Sequence, residues 1–282
     1  MERMTEDRLT DEVLDRLGTT PDPRLAEVLA SLVRHLHAFV KDTRLTEDEW
    51  AAGVRFLTET AQRRDDTQEE LVLLSDVLGV SSLVDLVNHA SEPEGAVTAP
   101  TETTIEGPFY VPGAPERDHG ASMAEQAGQG RPAVLRGTVT SMTGAPIPEA
   151  TLDVWQSDPS GQYAPEGGAG ATNLRGVYRT DSRGGFEIRT VRPTPYPIAD
   201  DGPVVRLLEV TGREVWRPAH IHVKVSAPGF VSLTTHVFDA GSAHLDTDAV
   251  FGVKPSLVED FVEAEDGTFV CEHDFVLRPL NA

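Results

Sequence analysis

Two spacings of apolar residues divide the chain near residue 95. In LAEVLASLVRHLHAFV, Leu25, Val28, Leu29, Leu32, Val33, Leu36 and Phe39 recur at i, i+3 and i+4, the one-face period of a helix. Leu45-Thr46-Glu47-Asp48-Glu49-Trp50 opens another helix, with Thr46 as N-cap and Glu49 three residues on, completing a capping box. EELVLLSDVLGVSSLVDLVN predicts a further helix that is apolar around much of its girth, a surface for burial against another helix or another subunit. HASEPEGAVTAPTETT, with its prolines and small polar residues, reads as the linker.

After the linker the period switches to two. VLRGTV, ATLDVW, GVYRT, GFEIRTV, HIHVKVSA, SLTTHVFDA and TFVCEHDFVL are short strand candidates, with turns such as Thr143-Gly144-Ala145-Pro146 and Ser182-Arg183-Gly184-Gly185 between them. Short strands at this spacing predict an antiparallel β-sandwich rather than a parallel sheet. The expected fold is α+β, mainly β: a helical domain over residues 1–95, then a β-sandwich domain over 96–282. No internal repeat or low-complexity tract interrupts it.

Composition narrows the class. A chain of 282 residues with 39% hydrophobic content has enough apolar mass for a real core. A formal net charge of −22 argues against nucleic acid and anionic membrane surfaces as partners. The single cysteine, Cys271, excludes an intramolecular disulfide and a zinc–thiolate site. With no apolar signal region in MERMTEDRLTDEVL and no run of about 18 apolar residues, the expectation is a cytoplasmic protein.

Candidate chemistry concentrates in RPAHIHVKVSAPG. In a strand Ile221, Val223 and Val225 share one face, while His220, His222 and Lys224 share the other. Two imidazoles with Cα atoms roughly 7 Å apart on one face can reach a single metal ion. Histidines on a solvent face are common, and the spacing alone leaves metal site and plain surface at even odds. Arg217, delivered beside them by the fixed backbone of Pro218, favours an anion-binding metal site. The four tyrosines differ in context: Tyr178 reads as a packing residue in a strand, whereas Tyr163 follows a turn, and Tyr196 sits between Pro195 and Pro197 in a stiff loop. For either loop tyrosine alone, a structural role is favoured about two to one.

LRGTVTSMTGAPIPEATLDVWQSDPSGQY, NLRGVYRTDSRGGFEIRTVRPTPYP and RPAHIHVKVSAPGF together resemble the intradiol ring-cleaving dioxygenases, the catechol and hydroxyquinol 1,2-dioxygenase family, across nearly the whole chain. The resemblance implies one non-haem Fe(III) per subunit, held by Tyr163, Tyr196, His220 and His222. Two hard phenolate oxygens beside two neutral imidazoles suit ferric iron. It implies that the enzyme activates an ortho-diol rather than oxygen: Tyr196 leaves the metal and accepts a substrate proton, and Arg217 stabilises the electron-rich ring and the developing oxyanion. Both atoms of O2 then enter a muconate-type diacid, cleaved between the two hydroxyl-bearing carbons.

By the same resemblance the substrate pocket draws on Leu83, Asp85, Ile105, Gly107, Pro108, Phe109, Tyr110, Ile198, His236 and Val250. IEGPFYVPGAP is similar to catechol-cleaving members, whereas YPIADDGPVVRLL and LDTDAVFGVKPSLV are closer to hydroxyquinol 1,2-dioxygenases; the second pair covers more residues, so hydroxyquinol is the expected substrate and catechol the alternative. His236 falls where catechol-cleaving relatives tend to carry glutamine, and a contact to iron-bound oxygen and a plain strand histidine stand equal. The family's helical region forms a homodimer interface, often with an amphipathic lipid between the subunits; a homodimer is therefore expected, and a lipid is left open. Two other classes remain. A noncatalytic β-sandwich binding module would not keep four ligand candidates and Arg217. A zinc hydrolase would need a carboxylate in place of Glu214, which is out of register, and has no use for the tyrosines.

Overall fold

The structure, a computed structural model, describes residues 3–63, 69–89, 97–125, 130–163, 172–199 and 201–280. The chain forms two compact units, residues 1–59 and 60–282. The first contains α1 (Glu6–Leu17), α2 (Pro23–Thr43) and most of α3 (Glu47–Gln62). Asp22 starts α2 by accepting from the backbone N–H groups of Arg24 and Leu25. The capping box forms at α3: the Thr46 N–H donates to Glu49 Oε2 at 2.9 Å, and the Glu49 N–H donates to Thr46 Oγ1 at 3.3 Å. Along α2, Leu25, Val28, Leu32, Leu36 and Phe39 are 46–52% exposed, so this stripe does not build a core within the chain.

The second unit opens with α4 (Glu70–Val77) and α5 (Val80–His89). The apolar run predicted as one helix is two, because Leu78 ends α4 and Gly79 turns the chain at φ +72°. Leu73, Leu74 and Val77 are buried on α4. There follow β1 (Pro132–Ser141), β2 (Thr151–Trp155), β3 (Arg175–Arg179), β4 (Gly185–Val191), β5 (Tyr196–Pro197), α6 (Pro203–Val210), β6 (Trp216–Arg217), β7 (His220–Ser226) and β8 (Leu233–Asp239). The C-terminal strands are β9 (Val258–Glu259), β10 (Val262–Glu263), β11 (Phe269–Glu272) and β12 (Phe275–Leu277). The apolar pattern does not announce α6 or the two-residue strands β5, β6, β9 and β10, which are too short to show a period.

One sheet runs β10-β11-β1-β12 with β4 also on β1, and the other runs β3-β2-β7-β8-β9. Their inward faces meet in one core, with Leu135, Val139, Ile188 and Leu277 from the first sheet and Leu152, Val154, Ile221, Val223, Val225 and Val237 from the second. The longest ladders are antiparallel, as expected, but β1 pairs in parallel with both β11 and β12, and β8 with β9. The sandwich is therefore mixed. The TFVCEHDFVL segment, predicted as one strand, splits as it passes β1: Arg136 pairs with Glu272 and Val139 with Phe275. Between them the chain presses on Gly137, where a Cβ would stand 1.9 Å from the carbonyl oxygen of His273.

Two features of this frame place the chemistry. The register Trp155↔His222↔His236 lines up one row of side chains across β2, β7 and β8, on the face away from the core. That face is covered rather than solvated, since His220, His222 and His236 are all buried. The short β5–β6 ladder sets Tyr196 opposite Arg217, three residues before His220. Among the described residues, no helix is long and apolar enough to cross a membrane.

Candidate active site and metal centre

Four atoms converge beside the β7 histidines. Tyr163 donates its hydroxyl hydrogen to Tyr196 Oη at 3.0 Å and lies 3.0 Å from His222 Nε2; Tyr196 Oη is 3.4 Å from His220 Nε2, and the two imidazole Nε2 atoms are 3.1 Å apart. Ligands about 2 Å from a metal in a tetrahedral set stand about 3.3 Å from one another, so these separations match the edges of one coordination shell. All four residues are buried.

The ring orientations are set by neighbours. His220 Nδ1 lies 2.7 Å from the Pro218 carbonyl, to which it donates, which leaves Nε2 as the lone-pair nitrogen facing the tyrosines. Trp155 stacks on His222 at 4.7 Å and 14°, and Phe109 stacks on Tyr163 at 4.5 Å and 13°. Glycine is required at residue 107, whose φ is +78° and whose Cβ would stand 3.6 Å from His222 Cε1. The segment around Phe109 is thereby laid close against Tyr163 and His222.

Arg217 Nη1 lies 3.2 Å from His220 Nε2, and its Nε donates to Asp248 Oδ1 at 3.2 Å. Burial disfavours the guanidinium charge, but Asp248 and the two tyrosines outweigh that, and its pKa lies above the ordinary value. Burial is also the leading cause that pushes the Tyr196 phenol up, with Arg217 pulling it the other way. His220, His222 and His236 are held well below the usual imidazole range, first by burial and then by neighbouring positive charge. Neutral imidazoles are the form that binds metal.

His236 is a third buried imidazole, its ring 4.2 Å from that of His222 and its Nδ1 2.5 Å from Thr104 Oγ1. His220, His222 and His236 form the group of potential metal-ligating side chains found among the described residues, their ligand atoms within 4.8 Å of one another. His236 Nε2 and His222 Nδ1 are buried without a hydrogen-bond partner there.

The remaining candidates fall into three positions. Ile198 is buried two residues from Tyr196, and Val250 is buried in the loop whose Asp248 holds Arg217. Ile105 is partly buried, Pro108 is exposed, and Tyr110 turns behind Trp155, its hydroxyl donating to Asp153 Oδ2 at 3.0 Å. On α5, Leu83 is exposed, while Asp85 accepts from Lys254 Nζ at 2.9 Å and contacts His89. That side chain is spent on an ion pair rather than turned to the tyrosines. Ser82 ties the same helix to the loop by donating to the Val250 carbonyl at 3.0 Å.

Sequence reading missed Trp155, Asp248 and Thr104. Trp155 and Thr104 acquire roles only through strand register and a contact 132 residues away. Asp248 stood within a segment singled out for its likeness to relatives, and a buried arginine's need for a carboxylate was the signal for it.

Residues 105–279 match the family model described as dioxygenase, and residues 22–96 match the one described as catechol dioxygenase N terminus. A 6-chlorohydroxyquinol 1,2-dioxygenase of Cupriavidus pinatubonensis is 46% identical over 99% of this chain and 99% of its own. A hydroxyquinol 1,2-dioxygenase of Rhodococcus opacus is 42% identical, covering 97% and 94%. The solved structure of hydroxyquinol 1,2-dioxygenase from Pseudomonas putida DLL-E4 superposes with a TM-score of 0.90 at 42% identity, over 97% of this chain and 98% of that one. With both family models matched along the chain and relatives 42–46% identical over nearly its whole length, this chain belongs to the intradiol ring-cleavage dioxygenase family.

Proposed function

We propose that the chain uses O2 to cleave hydroxyquinol (benzene-1,2,4-triol) between its adjacent hydroxyl-bearing carbons, giving 3-hydroxy-cis,cis-muconate and hence maleylacetate. The observation that carries this reading is the convergence of Tyr163, Tyr196, His220 and His222 at 3.0–3.4 Å beside Arg217. In this reading those four residues hold Fe(III). The donor set fits it: two phenolic oxygens and two imidazoles kept neutral by burial favour a hard trivalent ion. A ferric ion held there would supply the Lewis acidity that makes the diol's ring reactive toward O2.

The chain's own residues do the rest. Tyr196 accepts a substrate proton, a role suited to a phenol whose buried setting makes its free anion a strong base. Arg217 holds positive charge where the diol becomes anionic, in a site from which water is excluded. The Pro218 carbonyl fixes the tautomer of His220, and stacking on Trp155 holds the plane of the His222 ring. Ile105, Gly107, Phe109, Ile198 and Val250 line the approach, and His236, held by Thr104 against the His222 ring, keeps its Nε2 unpaired for a substrate or oxygen contact.

Residues 1–95 serve as the dimerisation domain in this reading, supported by the exposed apolar stripe on α2 and by Val80, Val84 and Val87 on α5. An amphipathic lipid between subunits is the further element the family resemblance admits.

Substrate and chemistry are tested together by oxygen uptake of the iron-loaded protein with hydroxyquinol, 6-chlorohydroxyquinol and catechol, and by mass spectrometry of products formed in labelled O2. Hydroxyquinol is expected to give the highest kcat/KM, with two labelled oxygen atoms in each product molecule. Faster turnover of catechol would move the substrate assignment, and incorporation of one labelled atom would defeat the dioxygenase reading.

A further inference from the structure

Arg217 and Asp248 form an ion pair in which both side chains are almost wholly out of solvent, at 5% and 3% exposure. Asp248 is also the hub of its own loop. Its Oδ1 takes the Arg217 Nε hydrogen and faces the Val250 N–H at 3.4 Å, and its Oδ2 accepts from the Gly252 N–H at 2.9 Å. The loop is anchored to β6 by the Ala249 N–H, which donates to the Trp216 carbonyl at 3.0 Å, and by Arg213, which donates to the Ala249 and Val77 carbonyls. Gly252 closes the seat: a Cβ there would stand 2.9 Å from Arg217 Nη2. The guanidinium is thus gripped on its Nε edge and walled at Nη2, with Nη1 directed at His220.

We propose that Asp248 is a positioning residue for ring cleavage, forming with Gly252 the seat that aims the Arg217 guanidinium at the reacting centre. The proposal rests on the role of Arg217 given above and extends it to the two residues that hold its guanidinium. A planar guanidinium stabilises developing charge only in a fixed orientation, and a carboxylate on its Nε edge with Gly252 behind Nη2 leaves Nη1 to face the site. Since the same carboxylate folds the loop carrying Val250, the shape of the pocket wall and the aim of Arg217 are set by one side chain.

The test is a double-mutant cycle on the iron-loaded enzyme with hydroxyquinol in air: the parent, Asp248→Asn, Arg217→Gln and the double variant. Asn matches the volume of Asp but lacks its charge and cannot serve both Arg217 and Gly252 as an acceptor. Asp248→Asn is expected to lower kcat by about 10²-fold, with a much smaller change in KM. Added to Arg217→Gln it should cost nothing further, as for residues that act as a unit. Losses that multiply, or a parental kcat in Asp248→Asn, overturn the proposal. Should Asp248→Asn fail to fold, Gly252→Ala decides: its methyl crowds Nη2 while the ion pair stays, and kcat should fall with the melting temperature nearly unchanged, whereas a parental kcat overturns the seat. If the parent does not cleave hydroxyquinol, the functional reading fails on its own, and the cycle is read in thermal stability. Non-additive losses at Asp248 and Arg217 then support the seat, and additive ones refute it.

Discussion

At the residue scale the site is made of groups kept in one protonation state by burial. His220, His222 and His236 are neutral in the fold, whereas in the unfolded chain they take protons near their ordinary value of about 6.5. Below that pH the unfolded state binds more protons than the native one, so stability is full above about pH 6.5 and falls as the pH drops, by up to about 1.4 kcal/mol per pH unit for each histidine. Chelator-treated protein melted between pH 7.5 and 5 should show this loss, with a shallower slope in His236→Gln; a flat profile would mean the imidazoles are not held neutral. The β7 histidines and Arg217 were legible in the sequence because a strand's alternation and a Pro-fixed neighbour are local. The tyrosines became legible only through family resemblance, since 33 residues separate Tyr163 from Tyr196 and nothing local marks either as a ligand.

At the scale of elements, the frame depends on how β1 is shared. It pairs first with β11 and then with β12, and the handover passes over Gly137, against which the His273 carbonyl lies. Gly137→Ala is expected to destabilise the protein by about 3 kcal/mol, at the upper end for overpacking, because backbone rather than a flexible side chain must move. Thermal or urea unfolding measures it, and an unchanged midpoint would show that the handover is pliable. Most strands were readable from their period, β4 to the residue. The parallel pairings and the division of the last strand were not, because they follow from long-range partners that leave no period. The single helix expected over residues 69–88 fails at Gly79 for the opposite reason: the local φ preference of glycine overrides an apolar pattern that runs straight through it.

At the scale of the molecule, the sandwich supplies a buried face and the helices supply an unburied one. Leu32 and Leu36 on α2 stand half exposed in a single chain, and a stripe of this kind is what a second copy covers. Sedimentation should find a dimer, and Leu32→Lys with Leu36→Lys should give a monomer; a parent that sediments as a monomer would show that the stripe is not a dimer interface. Tyr163 and Tyr196 are expected to bind ferric iron where an ortho-diol joins it. The visible spectrum of the purified protein, before and after anaerobic addition of hydroxyquinol, tests this directly. A broad charge-transfer band that shifts on adding the diol is the predicted result. Protein that stays colourless after reconstitution with iron would contradict the claim.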